Sequence, residues 1–183
     1  MTRIFISTPC YGGLCLEKYA KRILKLQILL AQKNIQFYID TTENESLVHR
    51  ARNVSVGRFM QQKKDANYFM FIDADVDFDP ESVVRLVESG HDISVACYPK
   101  KFVSWEQAEH AVKTNDNRDM SMLSSSLVVN FGAEKRTIEN GFIEILDGPT
   151  GFMLIKREVF EKMEKNFPEL LCNNDHQNRD FET

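Results

Sequence analysis

The chain has 183 residues, enough for one domain with a substantial buried core. Its 27 acidic and 23 basic residues leave a net charge of −4, which gives no electrostatic footing for broad nucleic-acid binding. A hydrophobic content of 43 % is ordinary for a soluble globular protein, and the longest apolar stretch, Ile23 to Ala31, is broken by Lys25 and Gln27, so no membrane span is expected.

Arg3 to Ser7 alternates and is rich in Ile and Phe, the pattern of a first strand. Because Met1 to Ser7 enters that strand directly, no secretory leader is expected, and the reading is of a soluble, cytoplasmic protein. Thr8-Pro9-Cys10-Tyr11-Gly12-Gly13 follows as a loop with flexible glycines. Leu16, Tyr19, Ile23, Leu26 and Leu30 recur at helical spacing and predict a helix over 16–33. Ile35 to Ile39 reads as a second strand ending at Asp40, and Ser46 is placed to cap a second helix reaching Gln62. Asn67 to Ile72 is a third strand, Pro80 to Glu88 a third helix and Asp92 to Cys97 a fourth strand.

This alternation predicts an α/β fold with a mostly parallel central sheet, helices on both faces and right-handed crossovers. Such sheets hold ligands beyond the carboxyl ends of their strands, so the loops 8–13, 40–45 and 73–79 are expected to meet at one pocket. After Tyr98 the rhythm breaks. Pro99 to Asn117 is polar, with the one Trp of the chain at 105. Leu127 to Phe131 and Phe142 to Leu146 predict two strands joined through a turn containing Asn140-Gly141, a small additional β element in the C-terminal half. Asp147 to Gly151 is a tight loop, Phe152 to Ile155 a strand and Arg157 to Asn166 a helix, while 167–183 is polar and without pattern. No repeat or linker interrupts the chain, and 1–183 reads as a single domain.

The densest chemical signal is the run Tyr68-Phe69-Met70-Phe71-Ile72 leading into Asp73, Asp75, Asp77 and Asp79. If the chain stays extended, Asp73 and Asp75 share one face, and two crowded carboxylates repel unless a cation lies between them. Hard cations such as Mg²⁺ or Mn²⁺ take oxygen ligands and complete their shells with substrate phosphates. Asp79 fits the cap of the helix that Pro80 opens, and Asp77 reads as a structural residue of the same turn.

Ser46 to Asn53 places Arg52 and Asn53 early in the second helix, near the same sheet edge, where a guanidinium can pair with phosphate or brace an aspartate. His49 and Arg50 read as a solvated helix face, as do Lys18, Lys21, Arg22 and Lys25, which leave a membrane contact open as the alternative. Gly148-Pro149-Thr150-Gly151 either lets the backbone approach a ligand or merely connects two strands. Tyr98 and Trp105 either stack on a sugar or base or pack. Cys10, Cys15, Cys97 and Cys172 lack zinc-type spacing and read as reduced thiols; Cys10 has no basic neighbour and does not suit a nucleophile.

Two other chemistries share parts of this acidic pattern. A calcium loop counted from Asp73 would need Gly and Glu where Phe78 and Val84 stand, which excludes it. A haloacid-dehalogenase-like phosphatase would use Asp73 as nucleophile and Asp75 as acid/base. Two strand-helix units precede Asp73, and no later acidic motif follows a strand beyond Val95; both count against that reading.

Three segments together resemble GT-A-fold glycosyltransferases, chlorella-virus members among them: Ile4 to Gly13, Leu47 to Asn53, and Phe71-Ile72-Asp73-Ala74-Asp75. Ala96 to Lys101 and Gly148 to Phe152 add to the likeness, which covers about residues 3 to 160. The resemblance implies a Rossmann-like GT-A fold, a hexosyltransferase-type activity, a UDP-sugar donor, Mn²⁺ or Mg²⁺, and a glycan or glycoprotein acceptor. By it, 1–98 is the nucleotide-binding half and 99–183 the acceptor-side half. Thr8, Pro9, Cys10, Tyr11 and Asp40 would line the uridine pocket with Asn53 close by. Arg52 would hold Asp73 or the donor, Asp73 and Ala74 would border the ribose and donor sugar, and Asp75, with Asp73, would bind metal. Tyr98, Trp105, Gly148, Thr150 and Gly151 would border the sugar and acceptor. A further acidic motif, usual beyond the Gly-rich loop in such enzymes, has only Asp175, His176, Asp180 and Glu182 as late candidates.

Overall fold

The computed structural model describes residues 1–114, 116, 118–133 and 136–171. Its internal contacts divide the chain into two compact units, Met1–Ser94 with the chain from Gly151 onward, and Val95–Thr150. Cys172, Asp175, His176, Asp180 and Glu182 lie outside the described residues.

The first unit holds the strands β1 (Arg3–Cys10), β2 (Gln36–Glu43), β3 (Tyr68–Ile72), β4 (Ile93–Val95) and β7 (Phe152–Lys156) in one sheet of order β2-β1-β3-β7-β4. β1 runs parallel to both β2 and β3, with Ser7 opposite Asp40 on one side and Phe71 on the other. β7 is antiparallel to β3, Ile72 facing Phe152, because its chain enters at the edge where β3 ends: the Asp73 N–H donates to the Gly151 carbonyl at 2.9 Å. The expectation of an α/β fold with a mostly parallel sheet therefore holds, with β7 making the sheet mixed.

Period-two alternation gives the sheet two apolar faces. Phe5, Phe69, Phe71 and Ile155 face α2 (Val48–Gln62) and α6 (Arg157–Asn166), whose Phe59 and Phe160 complete an aromatic cluster. Phe59 meets Phe69 at 5.2 Å and Phe160 at 5.8 Å, both edge to face, the arrangement that ring quadrupoles favour. Ile4, Ile6, Met70, Ile72, Phe152 and Leu154 belong to the opposite face and are buried. Helix α1 (Glu17–Gln32) buries Tyr19, Leu26 and Leu30, and α3 (Pro80–Ser89) buries Val83, Val84 and Leu86. Phe78 joins these layers, its ring 6.3 Å from Tyr19 and 5.4 Å from Phe152.

Arg157 fastens the far end of α2. Its guanidinium donates to the carbonyls of Phe59 (3.0 Å), Lys63 (2.8 Å) and Ala66 (2.7 Å) and lies 4.0 Å from the Phe59 ring centroid. Phe59 is in the last turn of α2, whose carbonyls lack intrahelical partners, and Lys63 and Ala66 belong to the turn that follows it. Burial pulls the Arg157 pKa below its ordinary value.

β1 runs three residues past the expected Ser7, and β2 runs on to Glu43, because the two strands stay in register from Arg3↔Gln36 to Cys10↔Glu43 after β3 has stopped. Pro9 is accommodated there: with β3 ended, no neighbour on that side requires its missing N–H. Strand four is shorter than expected, Ile93–Val95.

In the second unit, Leu127 to Phe131 forms no strand, only the isolated bridges Pro99↔Leu127 and Asn130↔Asp147. The small β element is a hairpin of β5 (Ile138–Glu139) and β6 (Phe142–Ile143). Asn140 and Gly141 have φ of 52° and 79°, the left-handed pair of a type I′ turn. The polar stretch after Pro99 carries helix α4 (Trp105–Lys113), capped by the Ser104 hydroxyl on the Gln107 N–H, and a turn of helix, α5 (Met120–Leu123). Among the described residues no helix is long and apolar enough to cross a membrane.

Candidate functional site

From β1 the chain passes through α1 to β2 on one side of the strand, then through α2 to β3 on the other. The strand order thus reverses at β1. In open α/β sheets the crevice at such a reversal, beyond the carboxyl ends of the strands, is where ligands bind. The Tyr11–Gly13 and Asp73–Asp79 segments follow the ends of β1 and β3 at that point, and a direct bond ties the chain just beyond the first to the second: the Leu16 N–H donates to the Ala74 carbonyl at 2.9 Å.

The aspartate run is not extended. The strand stops at Ile72, and the Val76 N–H donates to the Asp73 carbonyl at 3.1 Å, so Ala74 and Asp75 are the central residues of a tight turn. The period-two argument for Asp73 and Asp75 ends with the strand, and the two side chains occupy different settings. Asp73 is half-buried, and both its oxygens accept from Arg52 Nη2, at 2.8 and 3.0 Å. The Arg52 guanidinium also lies 5.2 Å from the Phe71 ring centroid, an orienting cation–π contact. Asp75 is exposed at the tip of the turn. Asp77 turns to α1, where Arg22 Nε donates to it at 2.7 Å with Lys18 Nζ at 3.6 Å; the Arg22 bond holds its carboxyl below the usual range. Asp79 caps α3 by accepting from the Glu81 N–H. Two of the basic residues read as a solvated face, Lys18 and Arg22, are thus partners of Asp77.

Helix α2 carries a second clamp one turn beyond Arg52. Asp40 accepts from Ser55 Oγ at 2.8 Å and from Arg58 Nη1 at 2.9 Å, and its side chain is only 15 % exposed. Thr42 Oγ1 lies 3.2 Å from Ser55 Oγ. The Asp40 carboxylate is therefore tied to α2 rather than open to solvent. Sequence reasoning missed Ser55 and Arg58, although Arg52, Ser55 and Arg58 follow one another at intervals of three, which marks one helix face. At the start of α2 the N-cap is Leu47, not the expected Ser46, and no side chain caps the helix; Glu45 accepts from the Leu47 N–H at 3.1 Å and takes Arg50 in a bidentate pair at 2.6 and 2.7 Å. Asn53 is exposed on α2.

Along β1, Thr8 is wholly buried, its hydroxyl 2.5 Å from Tyr19 Oη, and burial pushes the Tyr19 pKa up to about 12. Cys10 is buried, Pro9 half-buried, and Tyr11 stands out in solvent. Tyr98, Trp105, Gly148 and Thr150 belong to the second unit. Trp105 is exposed at the first turn of α4. A Cβ on Gly148 would come within 2.8 Å of both Ile145 Cδ1 and Val95 Cγ2, so packing already requires glycine there. Gly151 is buried and receives the Asp73 N–H.

Among the described residues, no three His, Cys, Asp or Glu side chains gather as a ligand set. A hard cation held by few protein carboxylates keeps water and phosphate oxygens in most of its shell. Asp75 offers an exposed carboxylate, and Asp73 a carboxylate already oriented by Arg52. The buried Nε of Arg52 has no hydrogen-bond partner among the described residues, so the guanidinium retains donor capacity at this edge.

No family model matches the chain, and no curated protein matches it. Among solved structures it is similar to one described as a glycosyltransferase involved in the glycosylation of the major capsid of PBCV-1, at a TM-score of 0.37 and 11 % identity over 90 % of this chain and 68 % of that one. A likeness of that size leaves function to be argued from the residues at the sheet edge.

Proposed function

We propose that the chain is a metal-dependent glycosyltransferase that moves a sugar from a nucleotide diphosphate, a UDP-sugar by the motif resemblance, to a hydroxyl of a glycan or glycoprotein acceptor. The observation that carries this reading is the Asp73-Ala74-Asp75 turn, pinned by Arg52 on one side and by Leu16 on the other, at the strand-order reversal. A bound Mn²⁺ or Mg²⁺ would supply Lewis-acid neutralisation of the leaving diphosphate. Asp75 and Asp73 would be its protein ligands. Arg52 holds Asp73 in a fixed orientation, so that the site need not reorganise as the sugar departs. Thr8, Pro9, Cys10, Tyr11, Asp40 and Asn53 border the nucleotide in this reading. For Thr8 and Asp40 the contribution is to shape the backbone, since their side chains are engaged with Tyr19 and α2. Tyr98, Trp105, Gly148, Thr150 and Gly151 serve the sugar and acceptor.

The phosphatase alternative would use Asp73 as nucleophile, and the two strand-helix units that precede Asp73 count against it. The deciding experiment is calorimetric titration of UDP with and without Mn²⁺, on the native chain and on Asp75→Ala. Binding that requires metal and is lost in the variant is expected, and a panel of UDP-sugars then reads transfer or hydrolysis. Equal UDP binding by both chains would remove Asp75 from the site. Absence of UDP binding in every condition would overturn the uridine assignment. Donor binding without turnover would leave a nucleotide-sugar-binding module.

A further inference from the structure

Cys10 ends β1 and is buried, whereas Cys15 is exposed. Between them the chain makes a tight reversal. The Leu14 N–H donates to the Tyr11 carbonyl at 3.4 Å, and Gly12 and Gly13 have φ of 66° and 69°. Two successive left-handed residues are the mark of the type I′ hairpin turn, whose twist sends a strand straight back beside itself, and glycine adopts them at no steric cost. The flanks are extended, with Cys10 at φ −115°, ψ 82° and Leu14 at φ −106°, ψ 143°. Tyr11 and Leu14 close the turn, so the next pair outward is Cys10 and Cys15. In a hairpin closed by such a turn, the pair at these positions would stand about 4.5 Å apart at Cα, inside the range of about 4.4 to 6.8 Å that a disulfide spans. The electrostatics agree with that proximity: burial raises the Cys10 pKa first, and Cys15 and then Glu43 raise it further.

We infer that Cys10 and Cys15 are a redox-modification site that closes to a disulfide across the Gly12-Gly13 turn. The co-reactant is a low-molecular-weight disulfide such as oxidised glutathione. The exposed Cys15 thiolate attacks one of its sulfurs, forming a mixed disulfide and expelling one small thiolate. Cys10, its proton lost to solvent, then attacks Cys15 Sγ and expels the second. Two protein thiols and one small disulfide become one protein disulfide and two small thiols. The bond would lock the segment that leads into Leu16, whose N–H holds the Ala74 carbonyl in the aspartate turn. The inference does not depend on the proposed transferase activity.

Ile4 to Lys18 contains no internal Lys or Arg, so trypsin delivers both cysteines in one peptide. The native chain is equilibrated across ratios of reduced to oxidised glutathione, trapped by alkylation, digested and weighed. As the oxidised fraction rises, that peptide is expected to lose two hydrogens and both alkyl labels, while the peptide carrying the exposed Cys97 keeps its label or gains glutathione. Cys10→Ser is expected to stop at the mixed disulfide, with glutathione retained on Cys15; should that variant not fold, the native digest alone decides. A peptide with two alkyl groups at every ratio, or with glutathione on each cysteine, overturns the inference, as does a Cys15 bond to another chain.

Discussion

Both oxygens of Asp73 accept from one nitrogen, Nη2 of Arg52, at 2.8 and 3.0 Å. The same guanidinium rests over Phe71, the penultimate residue of the strand that delivers Asp73. A lysine could supply the charge but not the planar stack. Replacing a partner that orients a metal ligand typically costs about 10- to 100-fold in metal affinity or activity. Arg52→Lys is expected at the lower end of that range and Arg52→Ala at the upper end, read as metal-dependent UDP affinity. Unchanged affinity in Arg52→Ala, with the fold intact by circular dichroism, would exclude Arg52 from the site.

Arg157→Met tests the end of α2 remote from the aspartates. The variant keeps an apolar stem over Phe59 but withdraws the donors to three carbonyls. The Lys63 carbonyl keeps the Ala66 N–H at 3.0 Å, whereas the other two lose their donor; leaving a buried acceptor unpaired costs about 1 to 3 kcal/mol, and water recovers part of it, so a loss of about 2 kcal/mol in urea-denaturation stability is expected. UDP binding should be unchanged under folding conditions. A loss below about 0.5 kcal/mol, the level of ordinary surface substitutions, would mean that the carbonyls are satisfied without Arg157.

Tyr19 makes alkaline stability a local readout. Its phenol titrates at about 12 in the fold against 10.0 when unperturbed, because the buried site disfavours the phenolate. A folded pKa raised above the unfolded one gives stability fully present below 10.0 and lost as pH climbs towards about 12. Two units correspond to about 2 to 3 kcal/mol. Native chain should lose this amount relative to Tyr19→Phe between those limits, and ultraviolet titration should show a late tyrosinate. If both chains decline in parallel, the ring is accessible to water.

The strand-helix rhythm through residue 94 was legible because each element buries an apolar face in water, and that periodicity is written locally. The sites of β1 to β3, α1 to α3 and α6 came from it, as did the edge where Asp73 stands. What was not legible depends on partners distant in the chain. Cys10 counts as strand because β2 remains beside it to Glu43, a pairing no local window contains. Asp73 and Asp75 share a face only if the chain stays extended, and the alternation in the sequence does not show that the strand ends at Ile72. Ser55 and Arg58, which hold the oxygens of Asp40, come from the next helix, outside any local window. Leu127 to Phe131 had strand composition without a continuous neighbour to pair with, and single bridges resulted.

The Arg157 bonds reach back 91, 94 and 98 residues to Ala66, Lys63 and Phe59. Closing so long a loop costs entropy before any contact rewards it, and non-local pairing of this kind slows folding. During synthesis, α2 and the first three strands emerge well before β7 and Arg157 exist. The early half must wait on the ribosome with an open sheet edge along β3 and loose helix carbonyls, the state most exposed to aggregation and to chaperones. The segment from Phe152 to Arg157 is thus the latch of the domain in time as well as in space.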